Sequence, residues 1–123
     1  MIRIGTDIVE ISRVEKKLKS PAFQKRVYSE KELAADAPRQ KGESMAARFC
    51  AKEALIKVFG KAVPLREITV RNDENGRPYY ELEGSAEELR RQLKIEALDL
   101  SLSHCREYAV AFAIGQCSEE RKD

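Results

Sequence analysis

The chain has no tryptophan, a single histidine and no apolar run near membrane-spanning length, the longest being Tyr108 to Ile114. A spanning helix is therefore not expected, and Asp7 and Glu10 stand where a secretion signal needs its apolar core. Its three cysteines, Cys50, Cys105 and Cys117, form no CxxC pair and cannot all be joined within one chain. That pattern excludes a disulfide scaffold and points to free thiols in a reducing compartment, so a cytoplasmic protein with no membrane partner is expected. Excess charge is scarce too: 23 Lys and Arg oppose 21 Asp and Glu, a net charge of +2. No nucleic-acid partner is expected from so small an excess, and any anion site must be local. Neither internal repeats nor low-complexity segments are present.

What is present is a composition 42% hydrophobic and 36% charged, in a chain of 123 residues. That is enough for one globular core and too little for two, so residues 1–123 are expected to form a single domain with a loose tail at 118–123. Residues 2 to 11 alternate, with Ile2, Ile4, Thr6 and Ile8 on one side and Arg3, Gly5, Asp7 and Val9 on the other. The period is that of a strand, from whose face Asp7 projects. Ser20-Pro21 reads as a cap and first-turn proline, Ser29 with Glu32 as a capping box for a helix to about Ala35, and 37–42 as a polar break. Ser44 to Phe59 is free of Gly and Pro and is followed by Gly60, which predicts a central helix with a glycine cap. Asn75-Gly76 predicts a hairpin between Ile68-Thr69-Val70-Arg71 and Pro78-Tyr79-Tyr80-Glu81-Leu82. Ser85 with Glu88 predicts a capped amphipathic helix carrying Leu89, Leu93 and Ile95. Alternation from Leu98 to Ser103 and from Tyr108 to Ile114 predicts a second hairpin with His104 at its bend.

On a helical wheel, apolar residues occupy nearly the whole circumference of the central helix, which should therefore be largely buried. Glu53 falls beside Ala46 and Phe49, with Lys57 one turn further on. A carboxylate there costs several kcal/mol, in order of magnitude, unless it is neutralised. It can pair with Lys57, take up a proton, or share a cation with Asp7 if the opening strand packs on this helix; two carboxylates and several waters suit Mg²⁺. Arg48 and Lys52 share another stripe, roughly opposite Glu53, as an anion patch or a solvated face. His104, after polar Ser103, is a catalytic candidate or an exposed bend residue, and Cys105 is a loop residue.

Four segments carry a resemblance: Gly5-Thr6-Asp7-Ile8-Val9-Glu10-Ile11 with Arg13, Arg48-Phe49-Cys50-Ala51-Lys52-Glu53-Ala54 with Lys57, Asn75-Gly76-Arg77-Pro78, and Ser101-Leu102-Ser103-His104 with Glu107-Tyr108-Ala109. In this order and spacing they resemble the small holo-[acyl-carrier-protein] synthases, a type of 4′-phosphopantetheinyl transferase. The resemblance implies an α+β fold, a small antiparallel sheet against a long central helix, and a homotrimer binding coenzyme A between subunits. It implies Mg²⁺ on Asp7 and Glu53, Lys57 and His104 against the substrate phosphates, and Arg48 reaching the nucleotide across the interface. Glu53, Lys57 and His104 are then the catalytic residues. Arg48, Lys57, Gly76, Pro78, Ser103 and His104 bind coenzyme A, and Arg13 and Arg26 dock an acyl carrier protein. The reaction implied is transfer of 4′-phosphopantetheine to a carrier serine with release of 3′,5′-ADP, supporting fatty acid biosynthesis. Ala22 and Lys25 depart from residues found in relatives at the docking positions, and Cys50 and Cys105 replace none of the ligands. Two other readings are a hairpin that binds single-stranded RNA through Arg71, Arg77, Tyr79 and Tyr80, and a non-enzymatic protein with an internal Asp7–Glu53–Lys57 ion network.

Overall fold

A computed structural model of the protein describes residues 1–35 and 42–118. The elements run β1 (Ile2–Glu10), α1 (Ile11–Lys17), α2 (Pro21–Val27), α3 (Glu30–Ala35), α4 (Gly42–Phe59), β2 (Ile68–Asn72), β3 (Pro78–Leu82), α5 (Gly84–Gln92), β4 (Ile95–His104) and β5 (Tyr108–Cys117). This is the α+β arrangement expected. The polar break falls mostly on residues 36–41, and all of the tail except Ser118 on 119–123, both outside the described residues.

Local chemistry accounts for most boundaries. The Ser20 hydroxyl accepts from the Phe23 amide at 3.3 Å, with Pro21 in the first turn of α2. The Ser29–Glu32 box closes in both directions, Ser29 N donating to Glu32 Oε1 at 2.9 Å and Glu32 N to Ser29 Oγ at 3.2 Å. Such a cap contributes about 1 kcal/mol. Gly60 ends α4 at φ +71°, its amide donating to Ile56 O at 2.8 Å. The expected Ser85 cap is not formed. Helix α5 begins at Gly84, and the Glu67 carboxylate, from the turn before β2, accepts from Ser85 Oγ at 2.6 Å and Ala86 N at 3.0 Å. These bonds, led by that from Ser85, hold the Glu67 carboxyl below the usual range. Ile95 belongs to β4 and not to α5, because Leu93 already caps the helix.

Strands β1, β5 and β4 make one antiparallel sheet in that order, and β2 and β3 make a separate hairpin. Helix α4 lies on the inner face of the three-stranded sheet, where Ala109, Ala111 and Ala113 of β5 are fully buried and let it approach closely. Cys50, Ala51, Ala54, Leu55 and Val58 fill the helix side of this core. Gly5 sets the distance on β1: a Cβ there would collide with the Ala54 carbonyl and crowd the Val58 amide. Gly5→Ala is expected to destabilise the fold by at least about 2 kcal/mol, since main chain cannot yield as a rotamer can. The midpoint of urea denaturation measures the loss, and Asp7, two residues along the same strand, should lose its alignment with α4.

The alternation in β1 is realised with the isoleucines outward. Ile2, Ile4 and Ile8 are each more than 60% exposed, beside exposed Tyr108, Val110 and Phe112 of β5. Cross-strand register places Ile8 opposite Val110 and Thr6 opposite Phe112, so the outer sheet face carries a continuous apolar surface. Monomeric proteins seldom leave such a patch uncovered.

Candidate active site

Packing of β1 on α4 brings Asp7 and Glu53 to one cavity of about 300 Å³, walled by Val9, Val14 and Phe49 and bordered by Arg13 and Lys17. Burial first, and the Asp7 charge second, hold the Glu53 carboxyl above the usual carboxylate range, against the pull of Lys57 and Lys17. Among the described residues no cluster of three or more His, Cys, Asp or Glu side chains forms a ready-made metal cage. Two carboxylates with open space beside them suit a cation that keeps most of its other ligands as water and phosphate oxygen.

Lys57 takes Asp7 as its partner, Nζ standing 3.4 Å from Asp7 Oδ1 and donating to Thr6 O at 2.8 Å. A Glu53–Lys57 pair one turn apart is not among the ion pairs of the described residues, because β1 supplies better-placed acceptors. Beneath the site, the Cys50 thiol donates to Asp7 O at 3.1 Å. Burial, then the Asp7 charge, push this thiol up to about 12, which leaves it a structural donor without nucleophilic character. All three cysteines are free, as expected.

A second cavity, of about 410 Å³, is lined by Glu43, Ser44, Arg48, Asn72, Gly76, Pro78 and His104. Arg48 donates from Nε to Val70 O at 3.4 Å and also to the Ser44 hydroxyl. The two cavities share no lining residue. They take different sides of α4, Phe49 and Glu53 for the first, Ala47 and Arg48 for the second. They also take opposite edge strands of the sheet, β1 and β4. One chain thus unites Asp7, Glu53, Lys57 and Arg13, and separately unites Arg48, Gly76, Pro78 and His104. Ser103 lies outside the second cavity, exposed and opposite Val110. Arg26 lies outside the first, its guanidinium 5.7 Å from the Phe23 ring centroid.

Two sequence readings need correction. Lys52 shares no anion patch with Arg48: it is fully buried, its ammonium paired with Glu32 at 2.5 Å. The β2–β3 hairpin keeps Tyr79 exposed beside Arg71, but the rest of the basic and aromatic face is broken up. Tyr80 points inward and donates to Ala51 O at 2.5 Å, while Arg71 pairs with Glu81 and Arg77 with Asp99, each at 3.0 Å. Conversely, Lys17 went unnoticed although it lines the first cavity with Arg13. The signal was its position one turn beyond Arg13 on the same face of α1.

A family model described as 4′-phosphopantetheinyl transferase superfamily matches residues 3–113. The chain belongs to this superfamily. A holo-[acyl-carrier-protein] synthase of Vibrio vulnificus (strain CMCP6) is 42% identical over 121 residues, covering 93% of this chain and 96% of the relative. The like-named protein of Moorella thermoacetica is 38% identical over 123 residues, covering 96% of each. Among solved members of the superfamily, the Neisseria meningitidis holo-[acyl-carrier-protein] synthase superposes with a TM-score of 0.87 at 29% identity, over 94% of this chain and 99% of that one. The Helicobacter pylori holo-[acyl-carrier-protein] synthase, solved in complex with coenzyme A, superposes with a TM-score of 0.81 at 28% identity, over 92% and 99%. No helix among the described residues is long and apolar enough to cross a membrane.

Proposed function

We propose that this chain, acting as a single domain in the cytoplasm, transfers 4′-phosphopantetheine from coenzyme A to a serine of an apo acyl carrier protein, releasing 3′,5′-ADP. The observation that carries the reading is the meeting of Asp7 and Glu53 in one cavity, in a chain some 40% identical to holo-[acyl-carrier-protein] synthases over nearly its whole length. In the transfer, the serine oxygen bonds to the phosphorus that bears pantetheine, the bond from that phosphorus to the bridging oxygen breaks, and the nucleotide leaves as 3′,5′-ADP.

Asp7 and Glu53 are the residues to hold Mg²⁺. When bound, the ion supplies positive charge to the pyrophosphate oxygens, where negative charge accumulates during phosphoryl transfer. Lys57, fixed by Thr6 O and Asp7, adds a cation beside the carboxylates. Such preorganised charge is commonly the largest single catalytic contribution. Glu53 takes the serine proton directly or through a water. Arg48, Gly76, Pro78 and His104 hold the coenzyme, with Ser103 at the adjoining surface, and Arg13 and Arg26 receive the carrier protein.

The separation of the two cavities supports a shared site. A head-to-tail ring sets one copy's β1 edge beside the next copy's β4 edge, joining the Asp7–Glu53 cavity to its neighbour's His104 cavity. The apolar outer face of β1 and β5 is the surface such a ring covers, and the reading takes three copies to close it.

Incubating the protein with Mg²⁺, coenzyme A and an apo carrier protein should add the mass of phosphopantetheine to the carrier; an unmodified carrier would refute the reading. His104→Ala should raise the Michaelis constant for coenzyme A about tenfold with turnover nearly unchanged, because a binding residue contributes equally to ground and transition states. A fall in turnover alone would instead make His104 the base.

A further inference from the structure

Lys52 is buried completely, next in sequence to Glu53, and has no part in the chemistry above. Its ammonium has three protons and finds three acceptors: Val27 O at 2.7 Å at the end of α2, Glu32 Oε1 at 2.5 Å on α3, and Leu65 O at 3.2 Å in the turn before β2. The Tyr28 ring stands 5.2 Å from the same nitrogen. Glu32 is equally engaged, its carboxylate accepting from Ser29 N at 2.9 Å and Val70 N at 3.0 Å. Four separate segments are thereby tied to one point on α4.

Such a tie does not explain itself as stabilisation, because a buried ion pair is often matched or bettered by apolar residues of similar size. A different property of α4 does explain it. Apolar side chains surround much of this helix, so burial by itself distinguishes weakly between roll angles; Cys50, donating to Asp7 O, holds the sheet side, and the Lys52–Glu32 pair is the directional contact on the other. Hydrogen bonds are directional where hydrophobic contact is not. We propose that Lys52 and Glu32 are positioning residues for the transfer reaction, an ionic pin that fixes the roll of α4 and so aims Glu53 at Asp7. A roll of about 20° would swing a side-chain end about 6 Å from the axis through about 2 Å. Displacement by 1 Å can cost on the order of a hundredfold in rate.

The inference rests on the transferase reading, which wild-type turnover tests by itself; the pin is tested by the ratio of variant to wild type. The double variant Lys52→Met with Glu32→Gln removes both charges without stranding either. Its melting temperature should fall by several degrees without collapsing, because Val27 O, Leu65 O and one of the amides of Ser29 and Val70 lose a partner while two buried charges are removed, and turnover should fall about tenfold or more. The Michaelis constant for the carrier protein should change less than turnover, since Arg13 sits on α1, outside the segments that the pin joins. A second readout avoids activity: the rise in melting temperature on adding Mg²⁺ should shrink in the variant. Unchanged turnover with an unchanged Mg²⁺ response would overturn the proposal. So would a collapse of the melting temperature, which would make the pair a determinant of folding and not of aim.

Discussion

Glu53→Gln should lower the rate of transfer about a hundredfold or more while raising the melting temperature of the metal-free protein. The two effects have one origin. In the folded chain the Glu53 carboxyl is held above its ordinary range by burial and by Asp7, so folding favours its protonated form. A raised folded-state value means that the group's contribution is fully present below the unfolded value and is lost as pH rises through the folded one. At neutral pH the ionised side chain therefore opposes folding, and an uncharged amide of the same shape relieves both the desolvation and the repulsion from Asp7. The stability gain from the variant should shrink as pH falls toward the ordinary carboxylate range, where wild-type Glu53 is protonated as well. Mg²⁺ should reverse the order of stability. A ligand at about a hundredfold its dissociation constant stabilises by about 2.7 kcal/mol, and wild type should gain where the variant does not. Calorimetry with and without Mg²⁺ reads this directly, and a Gln variant that kept most of its turnover at saturating Mg²⁺ would end the assignment of Glu53.

Ile4→Asp should separate the subunits and abolish activity without unfolding them. Ile4 is 61% exposed in the single chain, so a carboxylate there meets water and changes monomer stability by no more than about 0.5 kcal/mol. In an assembly that covers the outer sheet face, the same carboxylate is buried at a cost of several kcal/mol in every copy. Light scattering should then report the mass of one chain, circular dichroism should be unchanged, and transfer should fall at least about a hundredfold. A complementary mixture makes the test sharper. Equal amounts of Glu53→Gln and His104→Ala chains, dissociated and reassembled, place an intact first cavity against an intact second one at about one interface in four. Assayed with coenzyme A well below its Michaelis constant, where His104→Ala chains alone are about tenfold impaired, recovered activity near that fraction would locate the site between subunits; a fully active Ile4→Asp monomer would locate it within one chain.

Much of this was legible in the residues because it is local. Capping at Ser20 and Ser29 and the glycine end of α4 depend on neighbours within a turn, and Glu53 stood out as a carboxylate on a helix otherwise wrapped in apolar side chains. What was not legible depends on partners distant in sequence. Nothing near Lys52 points to Glu32, twenty positions earlier and in another helix, and a wheel that is apolar all round does not say which charged stripe turns inward. The cap of α5 was misplaced for the same reason, Glu67 arriving from before the hairpin to do what Ser85 was expected to do. Alternation in β1 separated the isoleucines from Asp7 but left open which face the same chain would cover. Gly5 and the buried alanines of β5 decide that, since only the small-residue face admits α4.

The two cavities on opposite strands have a bearing on cellular dosage. If neither half works alone, the working enzyme grows more steeply than in proportion to the number of chains made, and cells expressing few copies hold a reserve of idle protein. Modest changes in synthesis or turnover of the chain would then act as a throttle on its output, with no separate regulator required.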